Sequence, residues 1–512
     1  MVRPRPGVDG PAIFVGPPPI RPQRARPKAP VRAMVFSSPV FLFLFLPLVL
    51  LATLLAGSLK AKNTVLTVAS LLFYAWGELG YVLVMLASIL LNHLFGLWVD
   101  GTRGQPAQRT AVALAVIVNL GMLAFYKYAN FLVDNLNELL RLFEVPLIHL
   151  DPVHLPIGIS FFTFQGMSYV IDVYRGDAPA HKRPGAIALY IALFPQLIAG
   201  PIVRYVDVAQ QIDDRQVTLE RYASGVRRFI IGLGKKLLVA DTVARVSNAI
   251  FAIPHAHLPP SVAWLGTFAF SIQLYFDFSG YSDMAIGLGR LFGFEFMENF
   301  NMPYIARSIR EFWSRWHISL TTWFRDYVYV PLGGNRGGTA RTYRNLLLIF
   351  LLTGLWHGAS WNFIVWGLFH GFFMVIERLG LGRLLERAPR LVGNLYMLVV
   401  LNLGWAFFQN TDITKAWHYF VSMLGLDPNA SPLYYPSLHL TPDVVLMLVI
   451  GVLGSTPLPG LLIARLRQAV RPASAMATAW RSLDTVFHLT VLLLCAMHMA
   501  SSTFTPFLYF RF

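Results

Sequence analysis

Two histidines stand in surroundings where an imidazole could do chemistry. His357 lies in the largely apolar run TGLWHGASWNFIVWGLFHGFFMVIER, 353–378. Gly358 follows it, and glycine readily takes the position just beyond a helix C-terminus, so the spacing predicts a helix that ends at His357. A helix ending within a membrane frees backbone groups and opens a polar spot. An ionisable residue at such a spot is a functional candidate by default. His317 lies 40 residues upstream, in NMPYIARSIREFWSRWHISLTTWFRDYVYVPLGG, 301–334. A neutral imidazole near pH 7 can take the proton of a hydroxyl as that hydroxyl attacks a carbonyl carbon. The pair therefore marks a candidate site of proton transfer. His370, inside the next apolar helix, is expected to be structural, with its hydrogen bonds satisfied.

A second polar spot is QLYFDFSGYSDMAIGLGR, 273–290, where Asp277, Ser279, Tyr281 and Asp283 surround Gly280. Carboxylates in lipid must be paired or line a wet cavity. Arg290, seven residues beyond Asp283, is the expected partner, and the group is either a structural network or the wall of a substrate tunnel. In 301–334, apolar residues at Ile305, Ile309, Phe312, Trp316, Leu320, Trp323 and Tyr327 predict one amphipathic helix lying in the membrane interface. Pro303 suits its start and Pro331 its stop. Trp313 would then share a face with His317. Arg307, Arg310, Arg315 and Arg325 either prop the helix at the interface or hold the phosphates of a donor such as coenzyme A.

Other chemistries are missing. HExxH, GxSxG and HxxxxD are absent. IIGLGKK lacks the first glycine of a phosphate loop, and PLGGNRGG (331–338) reads as a tight loop. With Cys495 as the single cysteine there is no intrachain disulfide, cysteine-ligated zinc or CxxC pair. Cys495, in VLLLCAM, reads as a small buried hydrophobe. No metal ligand set is expected.

The elements that must position these residues belong to a membrane. Of 512 residues, 55% are apolar and 13% charged, about half the charge of a soluble domain. Candidate segments are 39–57, 64–76, 78–98, 110–126, 156–173, 186–202, 224–250, 261–277, 280–293, 345–357, 361–377, 394–409, 441–455 and 484–505. Several fall short of the roughly 20 residues of a full span and predict broken or re-entrant helices. We expect 10 to 13 crossings and no fixed repeat.

The net charge is +16. Arginines in 294–344, 378–393 and 456–483 place those segments in the cytoplasm, while 253–260 and 410–440 read as outside. Residues 1–33 carry nine prolines and seven basic residues against Asp9. They read as a disordered basic tail, or as a stretch preceding a start at Met34, with 34–512 forming one transmembrane domain. Nucleic acid is not needed to explain the charge.

From Met34 to about residue 410 the chain resembles the membrane-bound O-acyltransferase family, in its bacterial alginate O-acetylation branch. The matching stretches are MVFSSPVFLFLFLPLVLL (34–51), LPIGISFFTFQGMSYVIDVYRG (155–176), FPQLIAGPIVR (194–204), YFDFSGYSDMAIGLGRLFGF (275–294), EFWSRWHISLTTWFRDYVYVPLGGNR (311–336) and LTGLWHGASWNFIVWGLFHG (352–371). The likeness is weaker in 411–512. It implies an all-α polytopic fold with re-entrant and interfacial helices around a central tunnel. It implies an O-acyltransferase of the bacterial inner membrane that moves an acetyl group from a cytoplasmic thioester, such as acetyl-CoA, toward an exported polysaccharide. By motif, the family's key histidine falls on His357 and its second position on His317. His357 is then the general base, and His317 orients the acceptor or polarises the thioester carbonyl. No permanently bound cofactor is implied. A periplasmic acetyltransferase partner is. Peptidoglycan, cellulose or teichoic acid as acceptor, a transporter, and a scaffold without chemistry are the competing readings.

Overall fold

The computed structural model describes residues 34–254, 257–410, 412–428, 430–468, 474–501 and 507–508. The reading of 1–33 as a basic tail falls outside the described residues. Every regular element among the described residues is helical.

After a π-turn (Phe41–Phe45) and a short helix (Leu46–Leu55) come α1 (Leu59–Glu78), α2 (Val82–Gly101), α3 (Pro106–Leu142) and α4 (Ile159–Arg175). Ser58 opens α1 by accepting from the Ala61 N–H, which satisfies one of the donors that a helix start leaves over. Pro106 opens α3, where a missing N–H costs nothing. At 37 residues, α3 runs about 55 Å, well beyond a hydrocarbon core of about 30 Å.

The centre is built from α5 (Leu219–Gly234), α6 (Asp241–Phe251) and the 32-residue α7 (Pro260–Leu291). Helices α5 and α7 cross antiparallel through two glycine pairs. A Cβ on Gly232 would stand 2.5 Å from the Gly280 carbonyl oxygen, and one on Gly225 would stand 2.7 Å from that of Gly287. Backbones approach this closely only where side chains are absent.

The stretch 301–334 corrects the expectation of one helix. It holds two short helices, α8 (Ile309–Arg315) and α9 (Ile318–Phe324), followed by a wide π-turn, Arg325–Tyr329. The break lies at His317, whose φ is 45°. The start of α8 is fixed from outside: the Glu377 carboxylate accepts from the N–H groups of Ile309 (2.6 Å) and Arg310 (3.0 Å), and Ser308 accepts from Glu311. PLGGNRGG forms turns, as expected.

Helices α10 (Thr339–His357) and α11 (Trp361–Ile376) form a hairpin, followed by α12 (Arg390–Gln409) and α13 (Ala475–Ser501). The helix stop predicted at His357 is observed, with Gly358 extended at φ −171°. The hairpin closes tightly because a Cβ on Gly354 would meet the Phe363 carbonyl at 2.4 Å.

Five helices among the described residues are long and apolar enough to cross a membrane. Pro442–Gly454 with Leu458–Leu466, bent by 72°, makes a sixth if taken as one span. The sequence-based number of 10 to 13 is higher because it counts segments such as those in α7, whose polar residues face protein. Contacts respect the sidedness read from charge. Ser431 donates to the His257 carbonyl at 3.2 Å, joining two loops expected outside. Arg378 reaches Asn335 at 3.3 Å, joining two segments expected inside.

Candidate active site

The end of α10 sets the ring of His357. Its last carbonyls lack helical partners, and each must be satisfied in a dry interior. The Gly358 N–H donates to the Gly354 carbonyl. The Tyr128 hydroxyl donates to that of Leu355, and the Lys127 ammonium to that of Trp356. The Thr353 carbonyl takes the His357 ring through Nδ1, at 2.7 Å. A carbonyl can only accept, so Nδ1 carries the proton and Nε2 is the nitrogen that can receive one. His357 is 3% exposed and packs against Trp356 (5.0 Å between ring centroids) and Trp366 (4.8 Å).

Asn299 sets the ring of His317. Its Oδ1 accepts from the Ser319 N–H (3.2 Å) and the Ser319 hydroxyl (2.8 Å), and lies 3.2 Å from His317 Nδ1. An atom that accepts from a backbone N–H is the amide oxygen, so His317 Nδ1 donates to it and Nε2 is again the basic nitrogen. The Ile318 N–H donates to the Asn299 carbonyl at 3.0 Å, which holds the left-handed turn at His317. Both histidines flank Trp356, His317 at 5.7 Å and His357 at 5.0 Å. The structure thus brings the two sequence candidates into contact with one indole.

A cavity of about 60 Å³ lies beside His357. Lys127, Ser160, Ile157, Gly158 and Trp356 help line it. It adjoins the loop 143–158, which carries Glu144 and Asp151 but no lysine or arginine. By the charge rule that loop is outside.

The other candidates are corrected. Trp313 does not share a helix with His317, since α8 ends at Arg315; it packs instead on His370 (5.3 Å) and Trp366 (5.8 Å). His370 is fully buried among Trp313, Trp366 and Phe369, and neither ring nitrogen has a hydrogen-bond partner among the described residues. Arg290 is not the partner of Asp283; it reaches Glu295 and Ser224. Asp283 pairs with Lys235 at 2.6 Å and Arg228 at 2.8 Å, and Asp277 with Lys236 at 2.6 Å. Lys236 also holds Asp241 at 2.8 Å. These lysines come from IIGLGKK, on a π-turn (Lys235–Ala240) that aims adjacent residues at two carboxylates of α7. The polar spot around Gly280 is therefore a network of ion pairs. Arg315 binds Glu311, and Arg325 binds Asp326.

Comparison with known proteins fixes the family. A probable alginate O-acetylase AlgI of Azotobacter vinelandii is 42% identical over 94% of this chain and 100% of its own. The chain belongs to the membrane-bound O-acyltransferase family. The family profile matches residues 181–386, which include both histidines. A probable alginate O-acetylase AlgI of Pseudomonas aeruginosa is 48% identical over 77% of this chain and 75% of its own. A peptidoglycan O-acetyltransferase of Helicobacter pylori is 35% identical over 78% and 81%. As a membrane-bound O-acyltransferase, the chain is a multi-pass, all-helical enzyme that transfers acyl groups.

Sequence reasoning missed Asn299 and Lys127. Asn299 lies outside any motif weighed above, and its role depends on a tertiary contact. Lys127 was legible as a lysine next to an apolar segment, FYKYANF, yet nothing local tied it to His357.

Proposed function

We propose that this enzyme moves an acetyl group from a cytoplasmic acyl thioester, such as acetyl-CoA, to hydroxyls of an exported polysaccharide at the bacterial inner membrane. Alginate is the favoured polymer, reached through a periplasmic acetyltransferase. His357 is the general base. One observation carries this reading: His357 lines a small cavity, and the Thr353 carbonyl at its Nδ1 leaves Nε2 as the basic nitrogen of the ring.

The acceptor oxygen attacks the thioester carbonyl while Nε2 takes its proton. The same proton then goes to the departing sulfur. His317 packs on Trp356 and orients the acceptor or polarises the carbonyl. A cavity of about 60 Å³ suits a two-carbon acyl group. The relatives named as alginate O-acetylases support the acceptor, and their identities of 42–48% exceed the 35% of the peptidoglycan enzyme.

In cells, His357→Ala should lower acetylation of the exported polymer by about 10²–10⁴-fold while the protein still inserts. Mass spectrometry of the polymer reads the result. Acetylation at the wild-type level in that variant contradicts the assignment.

A further inference from the structure

Lys127 donates to the Trp356 carbonyl at the end of α10, and it lies 9% exposed in the wall of the cavity that His357 also lines. A buried ammonium is costly unless a negative charge answers it. Lys235 and Lys236 obey that rule with Asp283 and with Asp277 and Asp241. Lys127 does not: among the described residues no carboxylate lies within ion-pairing distance of it. Its neighbours are the Trp356 carbonyl, the Ser160 hydroxyl at 3.5 Å and the Trp356 ring at 5.8 Å, all uncharged. An ammonium has three N–H donors, and these two oxygens occupy two of them. Tying down the end of α10 does not require a charge, since the neutral Tyr128 hydroxyl does the same for Leu355 one residue away.

Resting on the acyl-transfer reading above, we propose that Lys127 is a further catalytic residue, whose remaining N–H stabilises the oxyanion formed when the acceptor attacks the thioester. The acceptor oxygen forms a bond to the carbonyl carbon, the C=O π pair moves onto the oxygen, and Lys127 holds that oxygen. The hydroxyl proton passes to His357 Nε2. Collapse restores the C=O, breaks the C–S bond and returns the proton to sulfur, leaving an ester and a thiol. The negative charge missing from the resting structure is then supplied by the intermediate itself, where a preorganised donor acts most strongly.

The test uses the full chain in proteoliposomes with an isotopically labelled acetyl thioester and a soluble polyol acceptor. Lys127→Met, which keeps the length and removes every N–H, should lower kcat by about 10²–10³-fold. The KM for the donor should stay nearly unchanged, the signature of an interaction made only in the transition state. Tyr128→Phe removes the parallel clamp without touching the charge and should cost much less in kcat than Lys127→Met. If Lys127→Met does not insert, Lys127→Gln keeps a donor for Trp356 and should still lose at least about tenfold in kcat. Equal losses in the Lys127 and Tyr128 variants overturn the proposal, because both are then only clamps on α10. His357→Ala, run alongside, separates the two claims. If it is inactive while Lys127→Met is fully active, only the lysine inference falls. If His357→Ala is itself active, the assignment of His357 as the general base falls, and with it the proton path through its Nε2.

Discussion

Asn299 does for His317 what the end of α10 does for His357: each fixes Nδ1 as the protonated nitrogen and so points the basic Nε2 elsewhere. His317 also sits in the left-handed region at φ 45°, a conformation that costs a non-glycine residue on the order of 1–3 kcal/mol and persists only when its surroundings over-determine it. Asn299, through its side chain and carbonyl, supplies that constraint. Asn299→Ala should therefore lower the transfer rate by about 10–100-fold, because small misplacements of a reacting group are expensive. The check is kcat for labelled acetyl transfer by the purified variant. An unchanged kcat would remove His317 orientation from the account. The two histidines were legible in the sequence, one from a glycine-ended helix and both from motif resemblance. The grouping of Trp313 with His317 was not legible, because the break between α8 and α9 is imposed by Asn299, 18 residues away, and not by any local breaker.

At the scale of elements, α5 and α7 are joined by charge and by bare backbone. Lys236 is buried between Asp277 and Asp241, so Lys236→Met leaves two carboxylates facing each other without a cation. Breaking a buried pair in this way costs about 3–5 kcal/mol. The variant should unfold at clearly lower temperature in detergent, and Lys236→Met with Asp277→Leu should recover much of the loss. A double variant as unstable as the single one would show that the pair is not the source of the effect. The glycine crossing makes a second claim. Gly232→Val places side-chain atoms against the Gly280 carbonyl, and overpacking typically costs about 1–3 kcal/mol. Here the obstacle is backbone, so the thermal shift should sit at the upper end of that range. A melting curve identical to wild type would contradict the crossing. The sequence showed the carboxylates, and helical spacing suggested Arg290 as a partner. The true partners lie on another helix, and their aim depends on a π-turn that no local pattern announces.

At the scale of the molecule, apolar composition foretold a helical membrane bundle, and two loop contacts join segments whose charges read as the same side. Five described helices are apolar enough to cross alone, and central helices such as α7 bury their polar residues against protein. The orientation is open to a direct check. With the buried Cys495 replaced by alanine, a single cysteine at His149 or Leu433 should react with a membrane-impermeant maleimide on intact inner-membrane spheroplasts. One at Arg387 should react only after permeabilisation. The reverse pattern would place the cavity beside His357 on the donor side. The account as a whole rests on His357 acting as a base for acyl transfer. The most direct measurement is single-turnover transfer of labelled acetyl from a thioester to a hydroxyl acceptor by purified wild-type and His357→Ala protein in proteoliposomes. The account predicts a rate about 10²–10⁴-fold lower in the variant, with its fold and insertion intact. A correctly inserted His357→Ala protein that transfers acetyl at the wild-type rate would contradict it.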